Sequence, residues 1–129
     1  NEDNMAGKDL GDTILGCAMK VHSALGPGLL ESTYEICLAH ELEKSGLMVA
    51  RQVALPVTYD NIELDTGYRI DMLVSNIVIL ELKAVEKLLP IHTAQLLSYL
   101  KLSKRNLGYL LNFNVVHMRD GIKRVANNF

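Results

Sequence analysis

Two consecutive apolar runs, Tyr68-Arg-Ile-Asp-Met-Leu-Val74 and Ile77-Val-Ile-Leu-Glu-Leu-Lys83, constrain this chain more than any other feature. Both read as strands, and Asp71, Glu81 and Lys83 are the main charges on them. A charge within a strand that otherwise reads as core is costly and needs a reason. Alternation supplies one, because side chains two apart share a face of a sheet. On one face lie Ile70, Met72, Val74, Val78, Leu80 and Leu82, all apolar. The other carries Arg69, Asp71, Leu73, Ile77, Ile79, Glu81 and Lys83. An antiparallel hairpin that buries the first face brings the three charged groups out together on the second.

The register follows from the same pattern. A two-residue loop at Ser75-Asn76 would pair Asp71 with Leu80 and put Glu81 on the opposite face. An odd loop, Ser75-Asn76-Ile77, sets Asp71 directly across from Glu81, and the all-apolar face selects it, since a slip of one drives Glu81 into the core. Two carboxylates 5 Å apart repel by about 3 kcal/mol at an effective dielectric near 20. Lys83 offsets part of this. A hard divalent cation would offset more, with carboxylate oxygens as its preferred ligands.

With 129 residues, the chain is long enough for one domain with a single real core, expected over residues 10–126, with a flexible N-terminal segment over 1–9. An apolar fraction of 49% excludes disorder. No apolar run reaches membrane-spanning length, and the polar, acidic start is unlike a signal peptide. Cys17 and Cys37 fall within apolar helical patterns and read as buried thiols of a reducing cytoplasm. The net charge of −2 gives no whole-surface attraction to nucleic acid. Any such binding must therefore use local patches, of which Lys101-Leu-Ser-Lys-Arg105 and Arg119-Asp-Gly-Ile-Lys-Arg124 are the two candidates.

Helical spacing of Ile14, Leu15, Ala18, Val21 and Leu25 predicts a helix over Leu10 to Leu25, stopped by Gly26-Pro27-Gly28. A second runs from Leu29 to Lys44. Val49 to Tyr59 reads as a strand interrupted at Pro56, Asp60-Asn61 as a turn, and Ile62 to Val74 as a continuing strand. The hairpin partner runs to about Ala84. A helix over Ile91 to Lys104 follows, and then a doubly covered strand at Leu107 to Phe113. In the last stretch, Asp120-Gly121 is a hairpin turn signal. The order α-α-β-β-β-α-β-β describes an α/β sandwich with a mixed sheet flanked by helices.

Asp71 followed by Glu81-Leu82-Lys83 resembles a PD-(D/E)xK nuclease core, and the order of elements fits the restriction-endonuclease-like fold. The chain further resembles the small GxxExxY family within that superfamily, through Gly28-Leu-Leu-Glu31-Ser-Thr-Tyr34. Other matching blocks are Tyr68-Arg-Ile-Asp71, Ile79-Leu-Glu-Leu-Lys83-Ala-Val-Glu86, His92-Thr-Ala-Gln95-Leu-Leu-Ser-Tyr99-Leu and Leu111-Asn-Phe-Asn114. The resemblance implies hydrolysis of a phosphodiester, most readily in DNA, with Mg²⁺ or Mn²⁺. Asp71, Glu81 and the Leu82 backbone carbonyl would hold the ion, Glu31 would be an outer ligand or water acceptor, and Lys83 would orient the attacking water. Gln95 and Tyr99 match a Q-x-x-x-Y pattern that positions the lysine or contacts the phosphate. His92 and Tyr34 join Tyr99 as candidate substrate contacts.

Bland readings stand beside these. Asp71, Glu81 and Lys83 could form a surface ion pair, Glu31 could simply favour a helix N-terminus, and Tyr34 could be core. A catalytically silent nuclease-fold binding module is the rival function, and hydrolysis of RNA or a small phosphodiester a further one. A homodimer is compatible with the short domain. Phosphate-binding glycine loops, zinc-ligand spacing and a serine nucleophile elbow are all missing from the sequence.

Overall fold

A computed structural model describes the backbone of residues 2–128 and the side chains of 9–128. The flexible segment expected over 1–9 falls almost wholly outside the described side chains. Helix α1 (Glu2–Leu25) buries Leu10, Ile14, Ala18 and Val21 at helical spacing, and α2 (Glu31–Lys44) packs against it through Leu38 and Leu42. Gly26 and Gly28, at φ +69° and +97°, make the tight link between them, a backbone shape glycine adopts without steric cost. Tyr34 pins that link: its hydroxyl donates to the Gly26 carbonyl (2.6 Å) and accepts the Leu29 N–H (3.1 Å).

Among the described residues seven strands follow where five are expected. The first run divides at Leu55-Pro56 into β1 (Val49–Ala54) and β2 (Val57–Tyr59), because proline cannot donate to a ladder. The next divides around an Asp65–Gly67 turn into β3 (Ile62–Leu64) and β4 (Arg69–Val74). β2 and β3 pair with each other across Asp60 and Asn61, both at positive φ, as a two-residue hairpin turn requires. The main sheet has the order β1-β4-β5-β6-β7, with β5 (Val78–Lys83), β6 (Leu107–Asn112) and β7 (Ile122–Ala126). β5 and β6 are parallel and the other pairs antiparallel. Helix α3 (Pro90–Ser103) is the crossover between the parallel pair.

Both faces of the sheet are therefore covered, as expected for the restriction-endonuclease-like sandwich. α1 and α2 close one face over Met72, Val74, Leu80, Leu82 and Leu111, with Tyr34 stacked on Phe113 (4.6 Å, 12°). α3 closes the other over Leu73, Ile79 and Leu110. Truncating a fully buried member such as Leu80 to Ala would cost about 2–5 kcal/mol. Among the described residues no helix is long and apolar enough to cross a membrane.

Two local expectations are corrected. Ile70 does not share the face of Met72 but packs in the α3-side core with Leu55, because β4 leaves its pairing with β5 just before Met72. Asp120-Gly121 does not form the tip of a hairpin. It ends a 3₁₀ turn (Met118–Gly121) leading into β7, and a Cβ at Gly121 would overlap the Asn112 carbonyl. Close packing rather than turn chemistry requires that glycine.

Candidate active site

The register places Met72 opposite Leu80, Leu73 opposite Ile79 and Val74 opposite Val78, so the loop is the odd one, Ser75-Asn76-Ile77. One step further, Asp71 faces Glu81, and there the ladder gives way to side chains. The Asp71 N–H donates to Glu81 Oε2 (2.8 Å), and the Leu82 N–H donates to Asp71 Oδ2 (2.9 Å). β4 and β5 fork at this point, and the two carboxylates fill the fork. Each gives one oxygen to an amide of the opposite strand and keeps one for a further ligand.

Burial has electrostatic consequences. Glu81 is 4% exposed, and its desolvation, with the adjacent Asp71 charge, pushes its pKa up to about 8. Asp71 is also raised, chiefly by burial, with the Leu82 amide acting in the opposite sense. Glu31, in the first turn of α2, is raised by burial and by Asp71, while Lys83 and the Ala84 amide pull it back. The three acids and Lys83 thus share one field, although Glu31 comes from the other end of the sequence.

Lys83 opens into a cavity of about 440 Å³ whose other walls are Tyr68, Ile91, His92, Gln95 and Tyr99. His92, Gln95 and Tyr99 are brought to Lys83 because α3 starts beside the end of β5 and presents one stripe along its first three turns. Tyr99 is buried, and its pKa is raised by burial and then by the nearby Glu81 charge. His92 also closes the start of α3: its Nδ1 accepts the Leu89 N–H (3.0 Å). Tyr34 is the exception among the expected contacts. It is wholly buried and its hydroxyl is committed to the α1–α2 link, so substrate does not reach it.

Four residues around the site carry no role in the sequence reading, although Tyr68 and Asn112 fall within blocks that it matches. Gln52 sits opposite Asp71 on β1, between the Arg51–Met72 and Val53–Ile70 pairs, with φ +52°. A non-glycine residue there is strained, and such strain tends to collect at functional sites. Its Nε2 donates to Glu35 Oε1 (2.8 Å), and its amide also favours the ionised form of Asp71. Glu35 is buried and holds Arg51 through Oε2 (2.7 Å to Nη2). Asn112, at the end of β6, accepts the Val85 N–H and donates to the Val85 carbonyl, fixing the segment that follows Lys83. Tyr68 forms an exposed lip of the cavity. Asn112 was findable, as a polar residue in a run that otherwise reads as buried. Gln52 carried no comparable signal.

Among the described residues no three His, Cys, Asp or Glu side chains converge to hold a metal, so Glu31 stands outside the Asp71–Glu81 pair. Two carboxylates still suit Mg²⁺, which is commonly held by one or two of them and keeps its remaining positions for water and phosphate. The donor set is all hard oxygen, and each carboxylate has one oxygen that no strand amide takes. The residues present fit such a cation.

A mixed sheet with an acid pair in an antiparallel fork, a lysine two residues on and a helix crossing over between the parallel strands matches the arrangement that the nuclease resemblance implies. The family model described as the PD-(D/E)XK nuclease superfamily matches residues 8–125, and the chain belongs to that superfamily. Its members typically use divalent metal ions and act on nucleic acid. Comparison with curated proteins and with solved structures found no match.

Proposed function

We propose that this protein is a cytoplasmic Mg²⁺- or Mn²⁺-dependent nuclease that hydrolyses phosphodiester bonds in DNA, within the GxxExxY branch its motifs resemble. The observation that carries the reading is the fork itself, where Asp71 faces Glu81 with Lys83 two residues beyond. Asp71, Glu81 and the Leu82 carbonyl would hold the cation. When bound, the ion would acidify water and stabilise charge on the phosphoryl oxygens. Lys83, two residues beyond Glu81, places a positive charge on the wall of the neighbouring cavity, where it orients the attacking water and balances the charge that grows on phosphate. Glu31 accepts a hydrogen bond from that water. Gln95 donates its amide to a phosphate oxygen, and Tyr99 closes the floor. Cys17 is buried and Cys37, expected to be buried, is only half-buried; both are free thiols, which supports a reducing compartment.

The test compares wild type, Asp71→Ala and Lys83→Ala on single- and double-stranded DNA and on RNA, with Mg²⁺ and with Mn²⁺. Loss of cleavage in both variants supports the reading. Equal cleavage in all three proteins, or none under any condition, refutes it. The rival, a silent module, gains from each carboxylate already accepting one strand amide. Titration with Mn²⁺ separates the two, because a functional metal site raises the melting temperature as the ion binds and a silent one leaves it unmoved.

A further inference from the structure

The cavity beside Lys83 has a volume of about 440 Å³, at the small end of the range for small-ligand sites. Its two lips are apolar and exposed: Tyr68 (46%) just before β4 and Ile91 (67%) in the first turn of α3. Its remaining lining carries the polar groups of Lys83, His92 and Gln95, with the buried Tyr99 as the floor. Because His92 Nδ1 already accepts the Leu89 N–H, the neutral ring carries its proton on Nε2, which is left to donate. Aromatic and aliphatic lips around a cation and amide donors match one nucleotide, its base between the lips and its phosphate inside.

Charge argues against a duplex. Holding a duplex takes several phosphates, each met by Lys or Arg. Lys83 is the single Lys or Arg among the residues lining the cavity. The basic run at residues 101–105 lies at the other end of the sheet, where Arg105 binds Asn76 in the loop before β5. The net charge of −2 adds no general attraction. Stacking therefore has to supply the grip that ionic contacts do not.

We infer that Tyr68 and Ile91 form a slot for one unpaired base, so that this enzyme takes single-stranded rather than intact duplex nucleic acid. The inference rests on the nuclease reading above for the position of the phosphate at Lys83. Tyr68 stacks on the base, and Ile91 covers its second face.

Fluorescence anisotropy tests this, with a labelled single-stranded 12-mer and a blunt duplex, in Ca²⁺ so that binding is read without turnover. The single strand should bind about tenfold tighter or more. Tyr68→Ala should weaken it by about 5- to 150-fold, the range for loss of one base–aromatic stack. Tyr68→Phe should retain the affinity, and Tyr68→Leu, of similar bulk, should not. The slope of log affinity against log salt should be shallow, about −0.7 to −1.4 for one or two phosphates. Equal or tighter duplex binding, an unchanged Tyr68→Ala, or no binding of either probe overturns the inference. Failure of the nuclease reading looks different: Tyr68-dependent binding of the single strand persists, and no cleavage follows in Mg²⁺ or Mn²⁺.

Discussion

Replacing Glu81 with Gln is expected to stabilise the metal-free protein at pH 8 and to remove its metal response. In the folded protein the Glu81 carboxyl is raised from 4.5 to about 8. A raised folded-state pKa contributes stability that is fully present below about pH 4.5 and is lost as pH rises toward 8. At 1.36 kcal/mol per unit, the loss reaches about 4 kcal/mol by pH 8, where half of the molecules still hold the proton. Asp71 is itself raised, by burial and then by the Glu35 charge, so it repels Glu81 with less than a full charge, which leaves about 2–4 kcal/mol to the substitution. Gln keeps an oxygen for the Asp71 N–H and adds an amide that can donate to the Asp71 carboxylate. At about 2.1 cal/mol/K per residue over 129 residues, that gain raises the melting temperature by about 7–15 °C. The assay is thermal unfolding of wild type and Glu81→Gln in chelator, from pH 5 to pH 8. The curves should nearly coincide at pH 5 and separate steadily above it, and Mn²⁺ should raise only the wild type. A constant difference at all pH values, or a variant less stable at pH 8, refutes the account of Glu81.

On the proposed roles, Lys83→Ala should lower kcat by about 10²–10³ while the Mn²⁺-induced rise in melting temperature survives, since a lysine that stabilises developing charge does not hold the ion. At Gln52, Gly should exceed Ala in stability by about 1 kcal/mol, because Gly relieves the φ of +52°, yet both should weaken Mn²⁺ binding equally in calorimetric titration. Tyr34→Phe should cost about 1–3 kcal/mol in denaturant unfolding by leaving the Leu29 N–H and Gly26 carbonyl unpartnered, with kcat unchanged.

How far the sequence could be read depended on the range of the interaction. The Asp71–Glu81 register was legible because period-two alternation and one short loop determine it, both within sixteen residues of chain. Helices α2 and α3 showed through their apolar stripes and glycine or proline borders. The departures arise where distant segments decide. Ile70 changed sides because β4 leaves β5 at the fork, which local alternation does not encode. Gly121 serves a close approach to Asn112 that belongs to a different strand. Glu35 and Gln52 meet across the gap between α2 and β1, and neither stands out from its own neighbours. Glu31 shows the same boundary from the other side. Its motif was visible, but its separation from the Asp71–Glu81 pair is set by how α2 docks on the sheet.

The β2–β3 hairpin lies outside the five-stranded sheet, and Tyr59, Ile62 and Leu64 on it are exposed. It contributes nothing to either core cluster, yet it joins the chain between β1 and Tyr68. Chain length can therefore be added at Asp60-Asn61 at little thermodynamic cost, since loop closure grows only logarithmically with length. That makes this arm the natural place to graft a targeting peptide: an insert there would extend the protein's reach toward a chosen ligand and leave the acids, the lysine and their supports untouched.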